Sequence, residues 1–186
     1  MTRIVYYTAS TLNGYLADQH DSLEWLFAVQ GTDGPDIAAF MDTMGVFVEG
    51  SSTYEWVLKH ENLLAEPAKW QQYYGNKPTY VFTSRTLPVP DGADVRFVNG
   101  PVADVLEEIK EASGELDVWV VGGGELAGQF LDLGALDELV VTFAPATLTG
   151  GAALLPRNVG PDRLTLRTAE QHGQFAMLTY DVGPLK

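Results

Sequence analysis

The chain has 186 residues, no cysteine, eleven Lys and Arg, and 25 Asp and Glu, for a formal net charge of −14. The absence of cysteine excludes disulfides, thiolate metal sites and a cysteine nucleophile, and the negative charge opposes a nucleic-acid partner. No apolar run approaches the roughly 20 residues that cross a bilayer, and the N-terminus lacks a signal-peptide pattern, so we expect a cytoplasmic protein with no membrane partner.

Strand and helix patterns alternate along most of the chain. β-Branched and aromatic runs predict strands, apolar residues spaced three and four apart predict helices, and clusters of Gly, Pro, Asn and Asp predict turns. In chain order the predicted elements are strand 3–10, loop 11–22, helix 36–44, strand 46–48, helices 53–59 and 65–74, strands 79–83 and 95–98, helix 102–112, strand 118–121, a helix from 124, strand 139–143, and strands 163–170 and 175–182.

This order of elements predicts the architecture. Strands that alternate with helices pair in parallel, whereas the last two, joined by the short segment 171–174, form an antiparallel hairpin. No linker or internal repeat divides the sequence. We therefore predict one α/β domain over residues 1–186, with a mixed, mostly parallel central sheet flanked by helices and an antiparallel C-terminal hairpin.

Three consecutive glycines, Gly122, Gly123 and Gly124, separate an apolar strand from a helix whose apolar face includes Leu126 and Phe130. Bare backbone N–H groups at a helix N-terminus, together with the helix dipole, favour a phosphate. The same glycines also fit a tight turn that needs a positive φ. Because the motif lies late in the chain, it does not match the ordinary dinucleotide-binding domain, in which it opens the first βα unit.

Four segments together resemble a known superfamily. The first is the glycine turn in 120–126 (VVGGGEL), and the second is 136–156, which contains LDELVV, a proline and then LTGGAALLP. The other two are 10–17 (STLNGYLA) and 47–55 (FVEGSSTYE). These motifs are similar to those of the dihydrofolate reductase-like superfamily, and most closely to its branch that contains the reductase domain of riboflavin biosynthesis. The resemblance covers nearly the whole chain and implies a dihydrofolate reductase-like fold.

The resemblance also implies an activity. It predicts an NADPH-dependent reductase of a small heterocyclic or carbonyl substrate, similar to 5-amino-6-(5-phosphoribosylamino)uracil reductase, and it suggests a homodimer; NADH stays open as the cofactor. The alternative is a non-catalytic nucleotide-binding protein that retains the fold. The cofactor-binding residues that the motifs imply are Ala9, Gly14, Gly50, Ser51, Thr53, Thr83, Ser84, Arg85, Gly122, Gly123, Gly124, Glu125 and Leu126.

The sequence departs from the family pattern at two positions. Ser51 stands where the family has an arginine that contacts the phosphate on the adenosine side of the cofactor, and this leaves the preference for NADPH over NADH undecided. Arg85, which follows Thr83 and Ser84 after a predicted strand, could take over that contact. Asn13 replaces the usual aspartate, and because Asn tolerates the left-handed backbone, we expect the turn to persist.

The acceptor side of the predicted site includes one candidate acid. Asp36 begins a helix whose superfamily counterpart faces the substrate, so it could assist protonation of the acceptor; it is equally an ordinary first-turn aspartate stabilised by the helix dipole. The candidate substrate-facing residues are Asn13, Trp25, Phe40 and Tyr54, although Trp25 and Tyr54 also suit the core. The three histidines show no metal-ligand spacing, so no metal is expected.

Overall fold

The computed structural model describes residues 2–30 and 34–185. Within these ranges the strands are β1 (Ile4–Thr11), β2 (Tyr15–Ala17), β3 (Met44–Gly50), β4 (Thr79–Phe82), β5 (Val95–Val98), β6 (Asp117–Gly122), β7 (Glu138–Ala144), β8 (Ala152–Ala153), β9 (Leu164–His172) and β10 (Phe175–Val182). The helices are α1 (Glu24–Phe27), α2 (Ile37–Asp42), α3 (Ser51–His60), α4 (Ala68–Tyr73), α5 (Leu106–Ser113) and α6 (Gly124–Asp132), and a 3-10 helix spans Val102–Asp104. None of the helices in these ranges combines the length and apolarity that a bilayer crossing requires.

Eight strands form one sheet in the order β5-β4-β3-β6-β1-β7-β10-β9. The five pairs from β5 to β7 are parallel, and the two pairs that involve β10 are antiparallel. β2 and β8 pair separately as a short antiparallel ribbon. This arrangement confirms the predicted α/β fold with a mostly parallel sheet and an antiparallel C-terminal hairpin.

The sheet separates two hydrophobic cores. Along β3, Val46 and Val48 pack in the core that contains Phe130 of α6, whereas Phe47 packs in the core that contains Tyr54 of α3, as the alternation of side chains in a strand requires. The neighbouring strands β3 and β6 are therefore followed by helices on opposite faces. Their carboxyl ends border a crevice, and such switch points are where α/β sheets bind ligands.

Several local features differ from the sequence prediction. The short helix α1 was not predicted, and the helix predicted over 102–112 is divided into the 3-10 helix and α5. The predicted loop 11–22 contains β2, which is too short to show a strand pattern and pairs with the equally short β8 far along the chain. The predicted helix 36–44 ends at Asp42, because Met44 is 2% exposed and already belongs to β3. The helix predicted over 65–74 begins only after Pro67.

Candidate active site

A first cavity, of about 630 Å³, opens at the carboxyl ends of β1, β3 and β6. The starts of α3 and α6 form one side of it, and Ala152 and Ala153 of the β2–β8 ribbon contribute the opposite wall. Its volume lies in the range of small-molecule sites. The first cavity is therefore the crevice that the sheet topology predicts as a binding site.

Two helices begin beside this cavity with uncapped N-termini. α3 follows Gly50 and α6 follows Gly123, and no side chain of the described residues caps either end. The two ends are neighbours, because Glu49 and Gly122 pair across β3 and β6, and a Cβ built on Gly50 would stand 3.8 Å from the Gly122 carbonyl oxygen. Free N–H groups and two helix dipoles make this edge favourable for an anion.

The glycines of the turn differ in what surrounds them. Gly123 has a φ of −92°, so a left-handed backbone does not explain the glycine there. A Cβ built on Gly123 would meet no described atom within 4 Å, whereas one built on Gly124 would stand 2.3 Å from the carbonyl oxygen of Ala153. The peptide bond between Gly122 and Gly123 is cis. Gly124 is thus required for packing, and Gly123 leaves open a space that a side chain would fill.

The β2–β8 wall is built by local contacts. Gly151 has a φ of +140°, and a Cβ on it would stand 2.0 Å from the carbonyl oxygen of Ala17, so the position requires glycine. The Asn13 amide donates to the Leu148 carbonyl at 2.6 Å and accepts from the Leu148 N–H at 3.1 Å. Gly14, with a φ of +84°, completes the same turn. Asn13 and Gly14 therefore hold the wall in place from outside the cavity.

An ion pair sets the charge at the α6 end of the first cavity. Glu125 lines the cavity, and Arg157 donates to its two carboxylate oxygens at 2.9 and 2.8 Å. These hydrogen bonds from Arg157 lower the pKa of Glu125. Arg157 also donates to Asp132 at 2.8 Å. The guanidinium thus offsets the acidic charge beside the α6 N-terminus.

A second cavity, of about 690 Å³, adjoins the first. It lies between the end of β1 and the segment that contains α1 and the start of α2, where Pro35 and Ile37 line it. The residues that line both cavities are Thr8, Ala9, Leu23, Leu26, Trp56 and Val121. Ligands in the two cavities would therefore meet over the end of β1.

Aromatic rings form one wall of the second cavity. Trp56 and His60, one turn apart on α3, stack with ring centroids 4.4 Å apart, and Phe27 of α1 stacks on His60 at 5.0 Å. Tyr7 also lines the cavity, and the ring of Phe40 packs edge-on against the ring of Tyr7, with 4.7 Å between the ring centroids. Such a wall suits the face of a flat ring.

Two buried polar atoms in the cavity walls lack partners. Trp25 Nε1 in the first cavity and Thr142 Oγ1 in the second meet no hydrogen-bond partner within the described part of the chain. Burial raises the pKa of Tyr7 and the nearby Thr142 hydroxyl offsets part of that rise, although no bond of hydrogen-bond geometry joins these two oxygens. Because buried polar groups are usually paired, these two atoms are exceptions in the cavity walls.

The structure brings many, but not all, of the predicted site residues together. The predicted residues that line the first cavity are Ala9, Trp25, Gly50, Ser51, Thr53, Gly122, Gly123, Gly124, Glu125 and Leu126. Of the residues described, those predicted for the site that line neither cavity are Asn13, Gly14, Asp36, Phe40, Tyr54, Thr83, Ser84 and Arg85.

Asp36 has a structural contact of its own. Its exposed carboxylate forms the N-cap of α2 and accepts hydrogen bonds from the amides of Ala38 and Ala39, both at 3.1 Å. This is the geometry of a capping aspartate. The position therefore favours the capping role over the role of proton donor.

Tyr54 and Arg85 are also engaged elsewhere. Tyr54 is completely buried, and its hydroxyl donates to the Pro88 carbonyl at 2.8 Å, so it takes the core position that the sequence left open. Arg85 is exposed and forms a two-point ion pair with Glu55, with Nη1 3.0 Å from Oε1. A phosphate that binds Arg85 would have to compete with Glu55.

Sequence reasoning missed several cavity residues. His60 lies just beyond the predicted helix 53–59, whereas α3 extends to His60, so its spacing of four from Trp56 puts both rings on one face. Thr8 and Thr142 lie inside strands, and a threonine in a strand carries no signal that it lines a cavity. The two threonines reach the same cavity only because β1 and β7 pair as neighbours in the folded sheet.

Comparison with known proteins identifies the family of the chain. The RibD C-terminal domain family matches residues 2–177, and the chain belongs to this family. A relative, the uncharacterized Bacillus subtilis (strain 168) protein YwjB, is 29% identical over 178 residues, which cover 96% of this chain and 97% of YwjB.

Solved structures show the same fold. A Shewanella sp. PV-4 protein, described as a candidate riboflavin biosynthesis protein, superposes with a TM-score of 0.76 at 26% identity, over 98% of this chain and 99% of its own. A Thermotoga maritima diaminohydroxyphosphoribosylaminopyrimidine deaminase/5-amino-6-(5-phosphoribosylamino)uracil reductase gives 0.67 at 18% identity, over 97% of this chain and 56% of its own. Enterococcus faecalis dihydrofolate reductase, complexed with NADP(H), gives 0.59 at 15% identity, over 97% and 96%. The fold is dihydrofolate reductase-like.

Proposed function

We propose that this protein is an NADPH-dependent reductase of a small heterocyclic or carbonyl acceptor. The observation that carries the proposal is the pair of uncapped helix N-termini, after Gly50 and Gly123, on one edge of the first cavity. Membership of the RibD C-terminal domain family supports a reductase. The fold is also that of a dihydrofolate reductase complexed with NADP(H).

The residues of the first cavity fit a dinucleotide. Its pyrophosphate would accept hydrogen bonds from the amides that follow Gly50 and Gly123, with the hydroxyls of Ser51 and Thr53 beside them. The open space at Gly123 permits the close approach of a phosphate to the backbone. Arg157 keeps the nearby Glu125 from opposing that charge.

The second cavity would hold the acceptor. When bound, the dihydronicotinamide supplies a hydride, which reduces the carbon of a C=N or C=O bond while a proton reaches the heteroatom and the dinucleotide is oxidised. Thr8 and Ala9 border both cavities, so they would bring the donor and the acceptor together. Leu23, Leu26 and Val121 would exclude water at the same place.

A glycine substitution tests the placement of the cofactor. Gly123→Val should weaken NADPH binding about 10- to 100-fold, because it blocks hydrogen bonds to a charged group worth roughly 1.5–3 kcal/mol. Gly34→Val is the matched control, since a Cβ at Gly34 also meets no described atom within 4 Å but the residue lines the second cavity. Calorimetric titration measures both. Unchanged affinity in a folded Gly123→Val protein would contradict the placement.

A substrate screen tests the reaction. Pterins, ribosylaminopyrimidines and small carbonyl compounds should be assayed for acceptor-dependent oxidation of NADPH. Turnover of one of these classes is the expected result. Tight NADPH binding without turnover of any would favour the non-catalytic nucleotide-binding protein instead.

A further inference from the structure

We propose, on the basis of the proposed function, that the acceptor is an uncharged, flat ring compound without a phosphate group. It binds in the second cavity, against the rings of Trp56 and His60, and hydrogen-bonds to Thr142. The Thermotoga maritima relative is named for a substrate with a phosphoribosyl group. The walls of the second cavity in this chain lack the charge that such a group requires.

The charged groups around the second cavity do not suit a phosphate. Among the described residues that line it, none is Lys or Arg, and the one acidic residue, Glu61, accepts a hydrogen bond from the Tyr73 hydroxyl at 2.9 Å. Residues 31–33, next to the lining residue Gly34, are Gly, Thr and Asp in the sequence and add no basic side chain. A phosphate in this cavity would therefore face negative charge without a neighbouring cation.

The helix end at the second cavity is already occupied. Pro35 and Ile37 line the cavity, and Asp36 between them caps α2 by accepting from the amides of Ala38 and Ala39. These two amides are thus paired with the protein's own carboxylate, next to the lining residues Pro35 and Ile37.

Two lysines that are close in sequence to the lining residues His60 and Glu61 do not line the second cavity. Lys69 pairs with Glu66 at 3.2 Å and donates to the Glu61 carbonyl at 3.3 Å. Lys59 precedes His60 on α3 but is not among the described residues of the lining. Of the described wall residues, His60 alone is basic, and its Nε2 already lies 3.8 Å from the carboxylate of Glu61.

Thr142 is a buried residue in the wall of the second cavity, and 4% of its surface is exposed. Its hydroxyl lies near that of Tyr7, which lines the same cavity, but it forms no bond of hydrogen-bond geometry in the part of the chain that the structure describes. A ring compound with a carbonyl, imine or N–H group at its edge would satisfy this hydroxyl. The stacked Trp56 and His60 would cover part of its face.

A matched pair of ligands tests the charge preference. A ribosylaminopyrimidine and its 5′-phosphate should be titrated calorimetrically into the protein alone and into the protein saturated with NADP⁺. We expect the phosphate-free compound to bind at least about 10-fold more tightly, since like charges without counter-charge repel. Equal or tighter binding of the phosphate, or binding of neither compound while NADP⁺ still binds, would overturn the proposal. Failure of NADP⁺ and NADPH to bind would instead contradict the proposed function.

A positive charge introduced at an exposed wall residue of the second cavity should shift the preference between the phosphate-free compound and its phosphate. Ile37 is 41% exposed and lines the second cavity, so Ile37→Lys adds a cation without disturbing the core. We expect the ratio of affinities to move toward the phosphate by about 5-fold or more, whereas the uncharged Ile37→Met leaves it unchanged. An unchanged ratio in Ile37→Lys would contradict the role given to charge.

A second pair of variants tests the hydrogen bond. Thr142→Val should raise the Kd and KM of the phosphate-free acceptor about 10-fold, the upper end for one neutral hydrogen bond, with NADPH affinity unchanged. The control is Thr79→Val, because Thr79 is also buried with an unpartnered hydroxyl among the described residues but lines neither cavity. Equal effects of the two variants on acceptor binding would overturn the role of Thr142.

Discussion

Arg157 holds both carboxylate oxygens of Glu125 at the first turn of α6, at 2.9 and 2.8 Å. If the pyrophosphate binds at this turn, Arg157→Gln should weaken NADPH binding about 5-fold, because it removes the cation that pairs with Glu125 beside the phosphates and with Asp132 at the other end of α6. Calorimetric titration at low and high ionic strength measures the effect, which salt should reduce.

The double variant separates charge from loop packing. Arg157→Gln combined with Glu125→Gln should restore most of the affinity, because the carboxylate at the first turn of α6 is then gone and Asp132 lies at the other end of the helix. If the double variant binds NADPH as weakly as Arg157→Gln, Arg157 acts through packing of the segment around Pro156, whose carbonyl it also contacts at 2.9 Å.

The pairing of Arg85 with Glu55 leads to a prediction on cofactor preference. If Arg85 replaces the family arginine absent at Ser51, Arg85→Ala should weaken NADPH binding about 10- to 100-fold, as for a lost hydrogen bond to a charged group, and NADH binding much less. Glu55→Gln should have the opposite effect, since it frees the guanidinium that Glu55 now holds. Titration of both cofactors against both variants measures this, and equal changes for NADPH and NADH would show that Arg85 does not recognise the 2′-phosphate.

The sequence predicted the sheet, its C-terminal hairpin and the glycine turn because these depend on local patterns. The β-branched runs and the three glycines are visible without knowledge of the fold. The ribbon of β2 and β8 was not predictable, because a three-residue and a two-residue strand carry almost no pattern and pair across most of the chain.

The candidate site was predictable only on its cofactor side. Gly50, Ser51 and Gly122 belong to motifs that resemble a family, whereas the acceptor wall depends on tertiary packing. His60 and Thr142 come from α3 and β7, which meet only in the folded sheet. Asp36 was visible in the sequence, but its role was not, because an aspartate at the start of a helix is compatible with both a cap and a catalytic acid. Its hydrogen bonds in the structure distinguish the two roles.

Asp36 should contribute to stability rather than to turnover. Asp36→Ala removes a cap that accepts two amide hydrogen bonds, so it should lower the free energy of unfolding by about 0.5–2 kcal/mol. Asp36→Asn keeps a capping oxygen and should change neither stability nor turnover. Urea unfolding and steady-state rates check both variants. A loss of about 10²–10⁴-fold in turnover in Asp36→Asn, with normal stability, would instead identify Asp36 as the general acid.

Glu49 should make stability depend on pH. It is completely buried in β3, and neither carboxyl oxygen meets a hydrogen-bond partner among the residues described. Burial raises its pKa to about 8, and the nearby Tyr74 hydroxyl offsets only part of that rise. Because the folded-state pKa lies above the unfolded value, the folded protein binds the proton more tightly. The stability that this proton contributes is complete below about pH 4.5 and is lost as the pH rises to about 8.

Glu49→Gln removes this titration while keeping the shape of the side chain. The free energy of unfolding of the variant, minus that of the wild type, should therefore increase with pH across the same window, at up to about 1.4 kcal/mol per pH unit. Urea unfolding at several pH values measures the difference, which cancels the effect of the remaining acidic residues because both proteins share them. Parallel stability curves for the two proteins would show that Glu49 does not bind its proton more tightly in the folded state.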